Sequence, residues 1–367
     1  MEGALSLLVK PVSADCNMRC RYCFYLRPAD PYLAEKTHLM DDRTLRALIA
    51  GAMRSAPGAA SFGWQGGEPL LAGLDFFERV VAYQQHYGRP GQLVSNNLQT
   101  NGLLLDGQWA DFFRQYRFFV GVSLDGPAEL HDRYRRTLDG EGGFIRAMRG
   151  IDILRDRGVD FGILAVVNAA TVRHPREIYK FFLENGLARL QFIPCVEWDG
   201  AGGLRDDSVT AEDYRDFLCA LFDVWYNDGR PAVSIRLFEN VLAVHAGAVP
   251  EICSFRDRCG SYMVVEYNGD LYPCDFFVED RWKIGNLVET PLAGLMTKRR
   301  RREFNDRKKI TSSDCVACEW NVVCRFGCQH YRTPAGDNVL CEAYRAFFQY
   351  ATPRFRVLAD RLAASPR

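Results

Sequence analysis

The stretch DCNMRCRYCFY, residues 15–25, carries three cysteines at the spacing Cys16-x3-Cys20-x2-Cys23 and follows an apolar run at residues 5–10. Three thiolates this close together can hold three irons of a four-iron cluster and leave the fourth iron open. An open coordination position is what a metal needs in order to bind a reactant instead of bracing a fold. A structural zinc site, the alternative, would need a fourth ligand nearby, and the next histidine is His38. The loop therefore favours a catalytic iron–sulfur cluster.

Outward from this loop, residues 5–240 alternate between short apolar runs and amphipathic stretches. Thr210 and Asp213 form a capping signal at the start of the last predicted helix. Six strand–helix units in a row predict an α/β fold with a parallel sheet. Six units are too few to close an eightfold barrel, so we expect an open, partial (β/α)6 barrel. The predicted strands are residues 5–10, 61–64, 93–99, 118–123, 161–167 and 190–193, and the predicted helices lie near 42–54, 74–87, 106–115, 143–157, 175–185 and 211–227.

Polar motifs follow three of the predicted strands at the point where each strand ends. QGGEP (65–69) follows the second strand, QTNG (99–102) the third and SLDG (123–126) the fourth. In barrels of this type the chemistry sits at the carboxyl ends of the strands. We therefore expect these motifs to converge beside the cysteine loop.

After about residue 240 the helical periodicity weakens and the cysteines become frequent. Asn268-Gly269 lies between two apolar runs and predicts a β-hairpin. A small, separate domain held together by metal is the simplest interpretation, because a short loop-rich segment needs such support. CxxC pairs also bind zinc, and spacing alone does not exclude it. The cysteines fall in two constellations, Cys253-x5-Cys259-x14-Cys274 and Cys315-x2-Cys318-x5-Cys324-x3-Cys328-x12-Cys341.

Composition narrows the class of protein. The 367 residues include 46 Lys+Arg and 46 Asp+Glu, a balance that gives no support for a nucleic-acid or anionic-membrane partner. No apolar run approaches the roughly 20 residues that span a bilayer, and the N-terminal segment lacks the features of a secretory signal. We therefore expect a cytoplasmic protein, in which 13 clustered cysteines bind metal more often than they form disulfides. Only Cys195 and Cys219 lie outside the constellations, and we interpret both as structural thiols.

The cysteine loop, with aromatic residues around Cys23, resembles the signature of the radical S-adenosylmethionine (SAM) superfamily. Residues 66–69, GGEP, resemble that superfamily's second motif, which binds the methionine amino group of SAM. The C-terminal pattern resembles the auxiliary-cluster (SPASM) domain. From Leu5 to about Arg354 the chain resembles the anaerobic sulfatase-maturating enzymes, and the resemblance rests on LVKP (8–11), CFY (23–25), QGGEP (65–69), LQTNG (98–102), SLDGP (123–127), YPCDF (272–276) and GN (285–286).

This resemblance implies a radical SAM domain at residues 1–240, a SPASM domain at 241–345 and a C-terminal helix at 346–367. It implies three [4Fe–4S] clusters, the first held by Cys16, Cys20 and Cys23. Only 12 residues separate Cys328 from Cys341, fewer than is typical of the family, and a shortened loop should reshape the nearby surface without preventing ligation. The implied auxiliary ligands are Cys253, Cys259, Cys274 and Cys328 for one cluster and Cys315, Cys318, Cys324 and Cys341 for the other.

The resemblance also implies a reaction. The reduced first cluster cleaves SAM, the resulting 5′-deoxyadenosyl radical removes a Cβ hydrogen from a cysteine or serine of a sulfatase, and the product is formylglycine. Asp275 is then the general base, although without the family match a turn-capping role would be favoured. The auxiliary clusters accept the second electron. The implied partners are an unfolded or nascent sulfatase with a Cys-x-Pro-x-Arg motif and an electron donor of the flavodoxin or ferredoxin type.

Further site residues follow from the same resemblance. Arg135 has a clear physical role, because a guanidinium can hold the methionine carboxylate, but Arg133 and Arg136 are near it in sequence. Ser123 would bond the ribose or merely end its strand. Gln65, Gln99 and Asn101 would line the peptide channel or be ordinary polar residues at strand ends. The full set of expected SAM contacts is Tyr22, Gly66, Gly67, Glu68, Ser123, Arg135 and Val196.

Two other functions compete with this interpretation. One is a radical enzyme that matures a ribosomally made peptide by crosslinking or epimerisation. Such enzymes often carry an N-terminal leader-binding domain, for which a first strand at about Leu5 leaves no room. The other is a structural or adaptor protein held together by zinc, which would leave the strand-end motifs unexplained.

Overall fold

The strand–helix alternation expected from the sequence is present in the computed structural model, which describes residues 4–26, 31, 32, 34 and 37–364. Each of the six predicted strands and six predicted helices is found within about two residues of its predicted bounds. The strands of the described chain are β1 (Ala4–Val9), β2 (Ala59–Trp64), β3 (Leu93–Thr100), β4 (Phe119–Ser123), β5 (Phe161–Val167), β6 (Arg189–Pro194), β7 (Ser234–Ile235), β8 (Met263–Val265), β9 (Asp270–Tyr272) and β10 (Gly285–Asn286).

Several helices follow that the sequence did not predict, chiefly short ones beyond residue 235. None of the helices in the described residues is long and apolar enough to cross a membrane. The α-helices are α1 (Asp42–Ser55), α2 (Leu74–Tyr87), α3 (Gly107–Gln115), α4 (Ala128–Tyr134), α5 (Phe144–Asp156), α6 (Pro175–Glu184), α7 (Ala211–Tyr226), α8 (Arg236–His245), α9 (Leu292–Met296), α10 (Arg299–Arg307), α11 (Ser313–Ala317), α12 (Asn321–Cys324) and α13 (Cys341–Ala364). Short 3-10 helices span Phe24–Leu26, Pro69–Ala72, Asn227–Gly229, Cys253–Phe255, Asp275–Phe277, Asp280–Trp282 and Gln329–Tyr331.

The chain folds into two compact units, each assembled from separated segments. The predicted boundary at residue 240 falls inside α8. The first unit comprises the residues up to Ser123 together with Arg135–Phe161 and Gly260–Asn305, and the second comprises Leu124–Tyr134, Gly162–Cys259 and the residues from Asp306 onward.

In the first unit β1 lies between β2 and β8 and runs parallel to both. Leu7 is paired with Phe62 on one side and with Met263 on the other, and all three side chains are buried. β3 and β4 extend the sheet beyond β2 in the same direction. The parallel sheet expected from the strand–helix alternation is therefore present, and it places the carboxyl ends of β1 to β4 along one edge.

The hairpin predicted at Asn268-Gly269 is confirmed. β8 and β9 are antiparallel, with Val264 opposite Tyr272, and Gly269 has a φ of +90°, which favours glycine. β10 then pairs antiparallel with β9. Because β8 pairs with β1, this segment and the residue that follows β9, Pro273, are anchored to the same sheet as the first cysteine loop.

Aromatic packing fixes the strand that carries QGGEP. Trp64, at the end of β2, contacts Phe76 and Phe77 of α2 with ring centroids 5.9 and 5.5 Å apart, and all three are buried. Such edge-to-face contacts add to the burial of large apolar surfaces. The strand end that precedes the motif is therefore held rigidly.

In the second unit β5, β6 and β7 are parallel neighbours. The cap predicted at Thr210 is confirmed, because its Oγ1 accepts a hydrogen bond of 3.1 Å from Asp213 N. Phe222 of α7 contacts Phe238 of α8 and Phe355 of α13, which forms an aromatic core between the three helices. α13 starts at Cys341, ahead of the start predicted at residue 346.

Candidate active site

The cysteine loop of the first unit packs backbone to backbone against the two glycines of QGGEP. Gly67 N donates to Ser13 O at 2.7 Å and Glu68 N donates to Asp15 O at 2.8 Å. A Cβ atom at Gly67 would overlap the Asp15 carbonyl oxygen, and one at Gly66, where φ is +125°, would lie 2.5 Å from Ser13 O. The glycines are therefore required because the loop that leads to Cys16 occupies the space of a side chain.

Glu68 ties the ends of β2 and β3 together. Its buried carboxylate accepts hydrogen bonds from Leu70 N at 3.0 Å, Thr100 Oγ1 at 2.9 Å and Asn101 N at 2.8 Å. Burial raises the pKa of Glu68 to about 7, and these hydrogen bonds oppose the shift. Glu68, which was expected to contact SAM, thus uses its carboxylate to accept hydrogen bonds from the protein, and these bonds fix the loops that follow β2 and β3.

A second set of contacts holds the other side of the loop. Asp15 accepts from His38 N at 3.0 Å, and its other carboxylate oxygen lies 2.7 Å from His38 Nδ1. The remaining ring nitrogen of His38 lies 2.9 Å from Tyr32 O. Both ring nitrogens are therefore engaged, so His38 serves to position the loop and does not fit the zinc alternative.

The segment at Arg135–Thr137 lies against the loop as well. Arg19 N donates to Arg136 O at 2.7 Å, and Met18 forms a β-bridge with Thr137. The guanidinium of Arg135 is buried and lies over the ring of Tyr22, 5.4 Å from its centre. Arg133 and Arg136 are exposed, which leaves Arg135 as the arginine of this group that lies inside the protein.

The thiols of this loop are poorly suited to exist as isolated anions. Burial raises the pKa of Cys16 to about 12, and nearby Glu68, Cys20 and Cys23 contribute to the rise. Asn101 donates to Asn17 Oδ1 at 2.7 Å and approaches Cys16 Sγ at 3.7 Å. Three thiols whose negative charges would repel one another in a buried place fit a cationic metal group that offsets those charges.

A buried polar network surrounds Asp275. Its Oδ2 accepts from the Tyr25 hydroxyl at 2.6 Å, and its Oδ1 lies 3.1 Å from Lys10 Nζ. Lys10 also pairs with Glu266 at 2.8 Å, and Gln65 Nε2 donates to the Tyr25 hydroxyl at 2.8 Å. Burial and the neighbouring carboxylate raise the pKa of Tyr25 well above its ordinary value, so the phenol stays protonated and donates. Asp275 is the first residue of the 3-10 helix Asp275–Phe277, and its carboxylate is held within this network.

Ser123 and Gln99 are also brought together in the first unit, because Gln99 Nε2 donates to Ser123 Oγ at 3.1 Å. Val196 belongs to the second unit, where its carbonyl oxygen lies 2.8 Å from His330 Nε2. His330 in turn lies 3.4 Å from Glu197 Oε1. Ser123 and Val196, two of the residues expected to contact SAM, therefore each have a hydrogen-bond partner within their own unit.

In the second unit the C-terminal cysteines separate into two groups. Burial raises the pKa of Cys324 to about 12, and Cys341, Cys315 and Cys318 add to it. Burial also raises the pKa of Cys328 to about 12, but here the neighbouring thiols are Cys253 and Cys259. Cys328 therefore has Cys253 and Cys259 as neighbours in this unit, and the ligand sets implied by the resemblance stay a prediction. Cys274 lies in the first unit, where its sulfur is 3.8 Å from the Tyr262 hydroxyl.

Sequence reasoning missed several members of these networks. Lys10 ends an apolar strand and Glu266 ends another, and a charged residue at the end of a buried run is a signal that could have singled them out. Tyr25 was noticed only as part of the aromatic signature. Lys308 is fully buried beside Cys253, but in the sequence it is one of three consecutive basic residues, RKK (307–309), and nothing distinguishes it from its neighbours.

Comparison with known proteins defines the class first. A model of the radical SAM superfamily matches residues 11–182, and a model of an iron–sulfur cluster-binding domain (SPASM) matches residues 253–319. The protein is thus a radical SAM enzyme whose two matched domains imply iron–sulfur clusters.

Full-length relatives then give the family. The cysteine-type anaerobic sulfatase-maturating enzyme of Clostridium perfringens is 36% identical over 366 residues, which cover 98% of this chain and 99% of that protein. The serine-type enzyme of Bacteroides thetaiotaomicron is 36% identical over 372 residues, which cover 95% and 90%. The structure of native anSMEcpe with bound AdoMet and Cp18Cys peptide is 36% identical, covers 98% of this chain and 99% of that chain, and superposes with a TM-score of 0.90. The chain belongs to the anaerobic sulfatase-maturating enzymes. The fold class expected from the sequence is confirmed by the same match.

Proposed function

We propose that this enzyme converts a cysteine or serine of a sulfatase-type peptide into formylglycine, with Asp275 as the general base. The observation that carries the proposal is the hydrogen bond from Tyr25 to Asp275. Tyr25 lies two positions after Cys23, and Asp275 directly follows Cys274. A carboxylate that can take a proton is thereby held between the loop of the first cluster and a ligand of an auxiliary cluster.

Cys16, Cys20 and Cys23 would hold the first cluster, and Arg135 would hold the carboxylate of SAM. When bound, these groups supply a 5′-deoxyadenosyl radical that takes one hydrogen atom from the substrate Cβ. Asp275 would then accept the proton of the substrate thiol or hydroxyl, and an auxiliary cluster, when bound, would supply the acceptor for one electron. A serine gives the aldehyde directly, and a cysteine gives a thioaldehyde that water hydrolyses with release of sulfide.

The buried network supports the role of Asp275. Lys10 Nζ and the Tyr25 hydroxyl contact different oxygens of its carboxylate, so the group is fixed in one orientation. Glu266 shares the lysine, so proton uptake by Asp275 converts a buried excess of negative charge into a neutral set. A positioned base of this kind typically contributes 10²–10⁴-fold to the rate.

We also propose three clusters and a division of the chain by function. Residues 1–240 would hold SAM and its cluster and residues 241–345 would hold the auxiliary clusters. The terminal segment predicted at 346–367 lies within α13 as far as Ala364, and residues 365–367 lie outside the described residues. Gln65, Gln99 and Asn101 would lie along the peptide, with support for Gln65 from its bond to Tyr25. A flavodoxin- or ferredoxin-type protein would supply electrons, and the enzyme would work in the reducing cytoplasm, where clustered cysteines bind metal more often than they form disulfides. The auxiliary ligand sets would be Cys253, Cys259, Cys274 and Cys328, and Cys315, Cys318, Cys324 and Cys341.

The test uses the protein purified without oxygen and supplied with iron and sulfide. It is incubated with reductant, SAM and two peptides that differ only in the target residue, Cys-x-Pro-x-Arg and Ser-x-Pro-x-Arg. We expect 5′-deoxyadenosine together with a peptide lighter by the change to formylglycine. SAM cleavage with both peptides unchanged would refute the substrate assignment and favour a maturase of another peptide, while zinc in place of iron would refute the radical chemistry.

A further inference from the structure

Lys308 is a lysine with no exposed surface in the second unit. Its Nζ donates to three backbone carbonyls, those of Cys253 at 2.9 Å, Ser254 at 3.0 Å and Arg256 at 2.5 Å. A neutral amine has two N–H groups, whereas an ammonium has three. Three acceptors at hydrogen-bond distance therefore require the charged form, and a full positive charge is buried in the loop that carries Cys253.

This charge faces thiols. Burial lowers the pKa of Lys308, and the neighbouring thiols of Cys259, Cys253 and Cys328, followed by Cys324, oppose that fall and favour the ammonium form. The carbonyl of Lys308 itself accepts from Arg332 Nη2 at 2.6 Å, which fixes the lysine backbone. A buried cation thus lies beside one group of cysteines in preference to the other.

A second donor points to the same group. Gln329, which directly follows Cys328, donates from Nε2 to Cys259 Sγ at 3.2 Å. Its side chain is buried, so this contact is not shared with bulk solvent. N–H···S bonds and nearby positive charge both stabilise the more negative, reduced form of a thiolate-held cluster.

We propose that Lys308 and Gln329 are positioning residues that raise the reduction potential of the cluster held at Cys253, Cys259 and Cys328, which makes this cluster a better electron acceptor. The inference rests on the proposed function, which places a cluster there. The electron balance needs no further reactant. The substrate radical is oxidised by one electron, this cluster is reduced by one, and the accompanying proton goes to Asp275.

The test is a redox titration of the anaerobic, fully loaded enzyme, followed by electron paramagnetic resonance. The transition of this cluster is assigned as the one absent from a Cys253→Ala/Cys259→Ala variant. We expect Lys308→Met to shift that midpoint to more negative potential and Gln329→Leu to shift it in the same direction by less. Lys308→Arg, which keeps the charge, and Lys309→Met, which removes an exposed neighbouring charge, should leave it unchanged.

An unchanged midpoint in a fully loaded Lys308→Met protein would overturn the inference. If Lys308→Met does not assemble its clusters, Gln329→Leu decides, because it leaves the three carbonyls and their lysine intact, and an unchanged midpoint there overturns the inference equally. If the Cys253→Ala/Cys259→Ala variant had the same iron content and the same spectra as the wild-type enzyme, the cluster assignment in the proposed function would be refuted instead.

Discussion

The hydroxyl of Tyr25 donates a hydrogen bond of 2.6 Å to Oδ2 of Asp275, 250 positions further along the chain. We expect Asp275→Asn to lower formylglycine formation by about 10²–10⁴-fold, because the amide keeps this hydrogen bond but cannot take a proton. SAM cleavage should continue, so the ratio of 5′-deoxyadenosine to modified peptide should rise. Mass spectrometry of the peptide and chromatography of the nucleoside measure both.

Asp280→Asn is the matched control for this variant. Asp280 is an exposed carboxylate in the same segment as Asp275. It should retain wild-type activity. Asp275→Asn with undiminished formylglycine would show that another group takes the proton.

The glycines of QGGEP give a steric prediction. Gly67→Ala should abolish SAM cleavage, because its Cβ would overlap the Asp15 carbonyl and displace the loop that leads to Cys16. The first cluster should be lost, whereas iron at the C-terminal cysteines should remain. Gly63→Ala is the control, since a Cβ there would be 3.7 Å from Leu7 O, an ordinary contact. Iron analysis and nucleoside release test the pair, and an active Gly67→Ala enzyme would contradict the steric argument.

The sequence sufficed for the regular part of the fold because its signals are local. Apolar runs with period two and helices with capping residues, such as Thr210 with Asp213, depend only on near neighbours. The resemblance placed the C-terminal helix at 346–367, whereas α13 begins at Cys341. Short helices such as α12 have too few residues to show a period.

The candidate site could be predicted only in part, because many of its contacts join residues that are far apart in the sequence. The cysteines can be recognised from their spacing in the sequence. Lys10, Glu266 and Lys308 contribute through contacts with residues that are distant in sequence, which no local pattern shows. No pattern along the chain indicates that Lys10 meets Asp275. Glu68 shows the converse case, since the motif identified the residue and the structure showed that its carboxylate braces two strand ends.

Glu68 gives a prediction about pH. Burial raises its pKa from 4.5 to about 7, so between these values the folded protein binds more protons than the unfolded chain. The free energy of unfolding should therefore fall with rising pH in this window, by up to about 1.4 kcal/mol per pH unit, and level off above about pH 7. Glu68→Gln should lack this dependence. It should also cost about 1–3 kcal/mol at the acidic end, because an amide cannot accept from both Leu70 N and Asn101 N.

Anaerobic denaturant unfolding between about pH 5.5 and 8 tests this, with Glu78→Gln as the control because Glu78 is exposed on α2. The stability difference between wild type and Glu68→Gln should be largest at low pH and narrow as pH rises. Parallel curves for the two proteins would mean that Glu68 is ionised throughout the range.

Arg135 gives a prediction about cofactor affinity. We expect Arg135→Met to weaken SAM binding roughly 10- to 100-fold, which corresponds to the about 1.5–3 kcal/mol of a hydrogen bond to a charged group. Arg133→Met, which removes an exposed arginine nearby, should leave the affinity unchanged. Equilibrium binding to protein of verified iron content is the measurement. Equal affinities in the two variants would assign the methionine carboxylate to another residue.

The two cysteines outside the constellations give the last prediction. Burial raises the pKa of Cys195, and the charged neighbours that add to the rise are the carboxylates of Asp207 and Glu197. Burial likewise raises the pKa of Cys219 to about 11, and the carboxylates of Asp223 and Asp216 add to this rise. A cluster ligand lies beside other ligating thiols, so Cys195→Ala and Cys219→Ala should each keep the about twelve irons of three four-iron clusters. Cys318→Ala should lose about four of them. Iron and sulfide analysis decides, and a loss of iron in Cys195→Ala would place that thiol in a cluster.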